Sequence, residues 1–138
     1  MELKIITDCS EVEWKTVPEL LKKASMAYQK AEVHKRAFEA SHTTVFIYED
    51  SQLIGFGRAI SDGEYQGAIY DVAVLPGAQG KGVGKLIVQA ILDRLPGCNL
   101  ILYATPGMEG FYKKLGFGSM KTGMALFTNP QAMERFTE

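Results

Sequence analysis

The chain has 138 residues, 46% of them hydrophobic, and its 15 basic and 16 acidic side chains leave a formal net charge of −1. That length fits one domain, residues 1–138, able to bury roughly two-thirds of its surface without a disulfide or metal staple. Such balance excludes a long-range pull towards nucleic acid or an acidic membrane, and Cys9 and Cys98 stand far apart in no ligand-like spacing.

In chain order, Leu3 to Ile6 is a short strand candidate. Thr16-Val17-Pro18-Glu19 fits a capping box, with Pro18 in a first turn that tolerates its missing N–H. Leu20, Leu21, Ala24, Ala27, Tyr28 and Ala31 then recur at helical spacing, and His34 to Ala40 is a second helical stretch or a continuation. Thr43 to Tyr48, Leu53 to Ile60 and Ala68 to Leu75 read as three strands of an antiparallel meander, broken at 49–52 and at Ser61-Asp62-Gly63.

The period changes after Pro76-Gly77. Val83, Leu86, Ile87, Ala90 and Ile91 predict an amphipathic helix, stopped by Pro96-Gly97. Leu100 to Tyr103 is an apolar run suited to a strand buried on both faces. Met108, Phe111, Tyr112 and Leu115 predict a short helix ending at Gly116, and Met124 to Phe127 a last strand. The order predicts an α/β fold, a mixed sheet with helices packed on it.

The segment with most chemical content runs from Val72 to Lys85, where a strand meets a glycine-rich turn that opens a helix. Helix N-termini expose unpaired N–H groups at the positive end of the dipole, and glycines let a phosphate approach them. Lys81 and Lys85 add positive charge, so the turn is an anion site. It is not a P-loop, because three residues separate Gly80 from Gly84 and Leu86 follows Lys85. It is not a dinucleotide fingerprint either, because Gly80, Gly82 and Gly84 are evenly spaced.

The stretch does fit Gln or Arg, two residues, Gly, one residue, Gly, with Gln79, Gly82 and Gly84 in those places. It resembles the acetyl-CoA signature of the GNAT superfamily of N-acetyltransferases. Phe111-Tyr112-Lys113-Lys114-Leu115-Gly116-Phe117 is similar to the superfamily's second signature. The resemblance covers roughly Thr43 to Phe127. Arg58 to Gly63, Ile69 to Val72 and Gly123 to Phe127 look like the bacterial and plastid branch, which acetylates arylalkylamines such as serotonin, or protein lysines.

The resemblance implies a mostly antiparallel sheet splayed between its fourth and fifth strands, with acetyl-CoA as donor and coenzyme A as product. The backbone amides of Gln79, Gly80, Lys81, Gly82, Val83 and Gly84 would hold the pyrophosphate, with Lys85 also at the coenzyme site, and Val72, Ala73 and Val74 would pair with the pantetheine arm. An N–H near Val72 or Ala73 would face the oxyanion. Tyr112, with Phe111 beside it, occupies the place of the donor to the departing thiolate. Asp71 is the acid nearest the centre, able to accept a proton or hold an ammonium; the competing reading is a sheet-edge acid. Where many members have Asn after the fifth strand, this chain has Ala104-Thr105-Pro106-Gly107, and the Thr105 hydroxyl is the available substitute. Tyr28 and Tyr65 are candidate linings of the acceptor pocket, against ordinary packing. His34 and His42 fall in no motif, and Trp14 reads as a packing anchor.

These readings predict acetyl transfer to a primary amine by direct attack in a ternary complex. A small-molecule amine leads; a protein lysine or N-terminus, or a catalytically silent acyl-CoA sensor, are the alternatives. A cytoplasmic setting, no metal, no nucleic-acid or membrane partner, and a homodimer as in many relatives complete the expectations.

Overall fold

The computed structural model describes residues 2–138. They form two compact units, one ending at Ile101 and one spanning Leu102–Glu138.

The first unit is built on one sheet in the order β1 (Leu3–Ile6), β2 (Thr43–Glu49), β3 (Gln52–Ser61), β4 (Gln66–Val74) and β5 (Asn99–Ile101). The first four strands pair antiparallel, and β5 joins β4 in parallel. Asp50 and Ser51 both take positive φ (48° and 71°), as the two-residue turn between β2 and β3 demands. Asp62 shapes the next hairpin, its Oδ1 accepting from the backbone N–H groups of Glu64, Tyr65 and Gln66.

Two helical layers cover this sheet. On one face lie α1 (Thr16–Lys23) and α2 (Ala31–Glu39). Val17, Leu20, Leu21 and Phe38 from them meet Phe46, Phe56 and Ala73 of the strands. Phe38 stacks edge-on to Phe56 and tilted to Phe46, with Trp14 against both Phe38 and Phe46. Each such fully buried ring contributes about 1.5–3 kcal/mol. Side chains alternate along a strand, so Gly55 and Gly57 face the other way, towards α3 (Val83–Arg94). A Cβ on Gly57 would lie 2.8 Å from Ile87 Cγ2 and 3.3 Å from Ile91 Cδ1, so the absence of side chains is what lets α3 lie this close to β3. That contact fixes where the N-terminus of α3 falls relative to the end of β4.

Several expectations are corrected. The capping box does not form: Thr16 is the first helical residue, the cap is Lys15, and the Thr16 hydroxyl donates back to the Glu13 carbonyl at 2.6 Å. The helix predicted through Ala31 stops at Lys23, where Ser25 takes a left-handed φ of 59° and the Met26 N–H returns to the Leu21 carbonyl. The fifth strand is Asn99–Ile101 rather than 100–103, and Ile101 and Tyr103 are exposed instead of buried on both faces. Met124 to Phe127 forms no strand, and Met124 and Leu126 are exposed.

The second unit holds α4 (Glu109–Lys114) and α5 (Pro130–Phe136), the latter unforeseen and capped by the Asn129 side chain accepting from the Gln131 N–H. Tyr103, Phe127 and Phe136 form a small aromatic cluster within it. No helix among the described residues is long and apolar enough to cross a membrane.

Candidate active site

At the C-terminal end of β4 the chain makes a short 3-10 turn, Pro76–Ala78, before the glycines. The Gln79 side chain donates to the Val74 carbonyl at 3.0 Å, tying the turn to the strand end. Gly80 and Gly82 both take positive φ (78° and 83°), which L side chains adopt only with strain, and the space where their Cβ atoms would stand is open. Gly82 caps α3 with no side-chain hydrogen bond, and the first turn contains no acid. The helical ladder begins with the Leu86 N–H on the Gly82 carbonyl. The N–H groups of Gly82, Val83, Gly84 and Lys85 precede that bond and have no partner inside the helix. Exposed Lys81 and Lys85 flank them. Open space, free donors and absent carboxylates suit a pyrophosphate.

The strand leading to this turn is irregular. Phe56 pairs with Ala73 and Arg58 with Tyr70, so Asp71 and Val72 together oppose Gly57. This is a bulge, and Asp71 sits in it at a φ of 57°, unusual for a residue with a side chain. Beyond the bulge lies a second departure from regular pairing. β5 pairs with Gln66, Gly67 and Ala68, and among the described residues its ladder with β4 ends there, although β4 itself runs on to Val74. The splay implied by the sequence is therefore present, and Val72, Ala73 and Val74 border it.

Asp71 is not a lone acid. Its Oδ2 accepts from Arg58 Nε at 2.7 Å, and both side chains are mostly buried. Arg58 Nη1 donates to Ser41 Oγ at 3.2 Å, and the guanidinium lies over the rings of Phe38 and Tyr70 at 5.6 and 5.5 Å. His34 of α2 is buried nearby, and its Nε2 accepts from the Gln29 N–H at 2.8 Å. This bond requires the neutral ring. Burial lowers the His34 pKa; the Asp71 charge opposes that and the Arg58 charge assists it. Sequence reasoning missed Arg58 as Asp71's partner, although both stand on the two arms of the hairpin around Asp62-Gly63.

The His34 bond gives a stability prediction. From about pH 6.5 downwards the unfolded chain takes up a proton that the folded imidazole resists, so stability falls as the pH drops through that value. Urea unfolding at pH 7.5 and 5.5 should show a larger loss for the wild type than for His34→Gln, which does not titrate. Equal losses would contradict this account of the ring.

In the second unit, α4 ends in a Schellman arrangement. The Phe117 N–H bonds the Tyr112 carbonyl and the Gly116 N–H that of Lys113, with the Tyr112 and Phe117 rings 5.7 Å apart. Phe111 packs edge-on to Tyr112 at 4.9 Å. The second signature is thus a helix stop that fixes the Tyr112 ring, and burial raises its phenol pKa, keeping it protonated at neutral pH. Thr105 is half-buried, its carbonyl accepting from the Met108 N–H. Tyr28 and Tyr65 are both exposed, one between α1 and α2 and one in the β3–β4 turn.

An open glycine turn with the geometry of an anion site, at the end of a bulged strand beside a splay, is the arrangement expected of a coenzyme-binding α/β domain. The chain belongs to the acetyltransferase (GNAT) family, whose pattern matches residues 6–117. It is 34% identical over 112 residues to the chloroplastic serotonin N-acetyltransferase 2 of Oryza sativa subsp. japonica, covering 72% of this chain and 55% of that protein. It is 32% identical over 112 residues to the uncharacterized N-acetyltransferase ycf52 of Pyropia yezoensis, covering 79% and 60%. The chain thus spans less than two-thirds of the length of these relatives. Among solved structures, a probable acetyltransferase of unknown function from meticillin-resistant Staphylococcus aureus superposes with a TM-score of 0.80 at 27% identity, covering 91% of this chain and 99% of that one.

Proposed function

We propose that the protein transfers the acetyl group of acetyl-CoA to a primary amine, with a small-molecule amine as acceptor. The carrying observation is the turn from Gln79 to Gly84, with no side-chain cap on the helix it opens, set at the end of a strand whose ladder with β5 stops at Ala68. Family membership and the similarity to a serotonin N-acetyltransferase support it.

The backbone donors of Gly80 to Lys85 hold the pyrophosphate, with Lys81 and Lys85 adding charge. The edge of Val72, Ala73 and Val74, past the end of the β5 ladder, takes the pantetheine arm as a strand takes a peptide. Acetyl-CoA supplies an activated thioester. The N–H of Val72 or Ala73, beside the bulge, is the donor for the carbonyl oxygen under attack. Asp71 accepts a proton from the acceptor's ammonium, directly or through water, or holds that ammonium before it is deprotonated. Tyr112 gives its phenolic proton to the departing sulfur, and Thr105 offers a hydroxyl to the arm.

The acceptor attacks only as the free amine, so kcat/KM should rise with pH and then level off. Asp71→Asn should lower kcat/KM for the amine by about 100-fold, the low end for a positioned acid or base, while coenzyme affinity holds. Wild-type amine kinetics in this variant from pH 6 to 9 would remove Asp71 from the mechanism.

A further inference from the structure

Asp71 meets Arg58 before it meets any acceptor. The Nε–Oδ2 distance is 2.7 Å, and the side chains retain only 16% and 26% exposure. Arg58 is itself held from three sides, by Ser41 Oγ and by the faces of Phe38 and Tyr70. It cannot swing away from the carboxylate without losing all three contacts. The neighbouring titratable group, His34, is neutral because its Nε2 accepts from the Gln29 N–H. The cluster at the bulge therefore carries a charge sum of zero and an aromatic wall. An acid intended to attract a polycation would be left unpaired, since a guanidinium at contact distance cancels its field beyond a few ångströms.

We propose that Arg58 is a specificity-determining residue that cancels the Asp71 charge, so that the site selects aromatic or apolar monoamines over polyamines. This rests on the acetyl transfer to a small amine proposed above. The amine end of a monoamine still reaches the carboxylate for proton transfer, whereas the additional ammonium groups of a polyamine gain nothing there and meet the guanidinium.

The pair allows a test in which the charge sum is set by substitution: zero in the wild type, negative in Arg58→Met, positive in Asp71→Asn, and zero again in the double variant. The readout is the ratio of kcat/KM for spermidine to that for phenethylamine, which is insensitive to a common loss of turnover. The ratio should rise by about tenfold or more in Arg58→Met, fall in Asp71→Asn, and return towards the wild-type value in the double variant. Arg58→Lys should keep the wild-type ratio. The gain in Arg58→Met should also shrink as salt is raised above physiological strength, where screening shortens to less than about 8 Å. If Arg58→Met does not fold, the fall of the ratio in Asp71→Asn against its retention in Arg58→Lys still decides the matter. A ratio that stays constant across active variants would overturn the role of Arg58 and leave acetyl transfer standing. Absence of turnover with any amine in the wild type would overturn both, and is told apart by the wild-type control.

Discussion

Gly82→Asp is expected to abolish coenzyme binding while the sheet stays folded. Gly82 occupies the left-handed region at φ 83°, immediately before the free N–H groups of α3, and a Cβ placed there meets nothing within 4 Å. Two effects follow from the substitution. Any L residue pays about 1–2 kcal/mol for that conformation, and Asp less than most because its short side chain tolerates it. The carboxylate, in addition, stands where the pyrophosphate must lie and satisfies the same donors as an internal cap. Gly82→Ala separates the two, carrying the strain without the charge. The Asp variant should bind acetyl-CoA at least about 100-fold more weakly than wild type, some 2.7 kcal/mol, and the Ala variant should fall between. Calorimetric titration measures the affinities, and thermal unfolding without ligand confirms the fold. Unchanged affinity in a folded Gly82→Asp would make the turn purely structural.

Tyr112→Phe is the second large effect, and it falls on turnover alone. The Tyr112 ring is fixed by Phe111 on one side and by Phe117 across the helix stop, and Phe preserves both contacts. Only the hydroxyl is removed. Because burial raises the phenol pKa, that group is a proton donor throughout the neutral range, and what is lost is a donor and not a base. Folding and acetyl-CoA affinity should stay near wild type, while turnover falls by roughly 10- to 1,000-fold, overlapping the range for a positioned acid. The deficit should shrink with an acyl donor whose thiol is more acidic, since that thiolate departs with less assistance. Full activity in the variant with the natural donor would remove Tyr112 from the chemistry.

The parts of this protein that could be read in its sequence are those whose causes are local. The turn at 79–84 and α3 follow from glycine spacing and a 3.6-residue period, and both appear where expected. The stop at Gly116 follows from one residue's tolerance of positive φ, here 98°. The end of α1 was hidden because Ala27, Tyr28 and Ala31 continue the helical spacing. What breaks it is the turn at Ser25, with the connection to α2 then tied by the Gln29 N–H on His34 Nε2. Apolar content alone predicted a strand at Met124 to Phe127, but a strand needs a partner, and the side chains of Met124 and Leu126 face solvent.

The candidate site divides the same way. Its glycine-turn half is contiguous in sequence, so its local geometry could be read there. Its acceptor half depends on strand register. Arg58 and Asp71 meet because β3 and β4 pair around the 62–65 turn, and the bulge opposite Gly57 turns Asp71 out of regular alternation. Neither the bulge nor the ion pair has a signature in residue type, so Asp71 read as an isolated acid when it is half of a pair.

Acetyl transfer to an amine is tested most directly by thiol release. Purified protein with acetyl-CoA should liberate free coenzyme A, detected by a thiol reagent, only when a primary amine is added. The rate should rise with pH as the acceptor loses its proton, and one acetylated amine should form per thiol released. Saturated coenzyme binding with no amine-dependent thiol release, over a panel of small amines and lysine peptides from pH 6 to 9, would contradict the account and point to a silent acyl-CoA sensor.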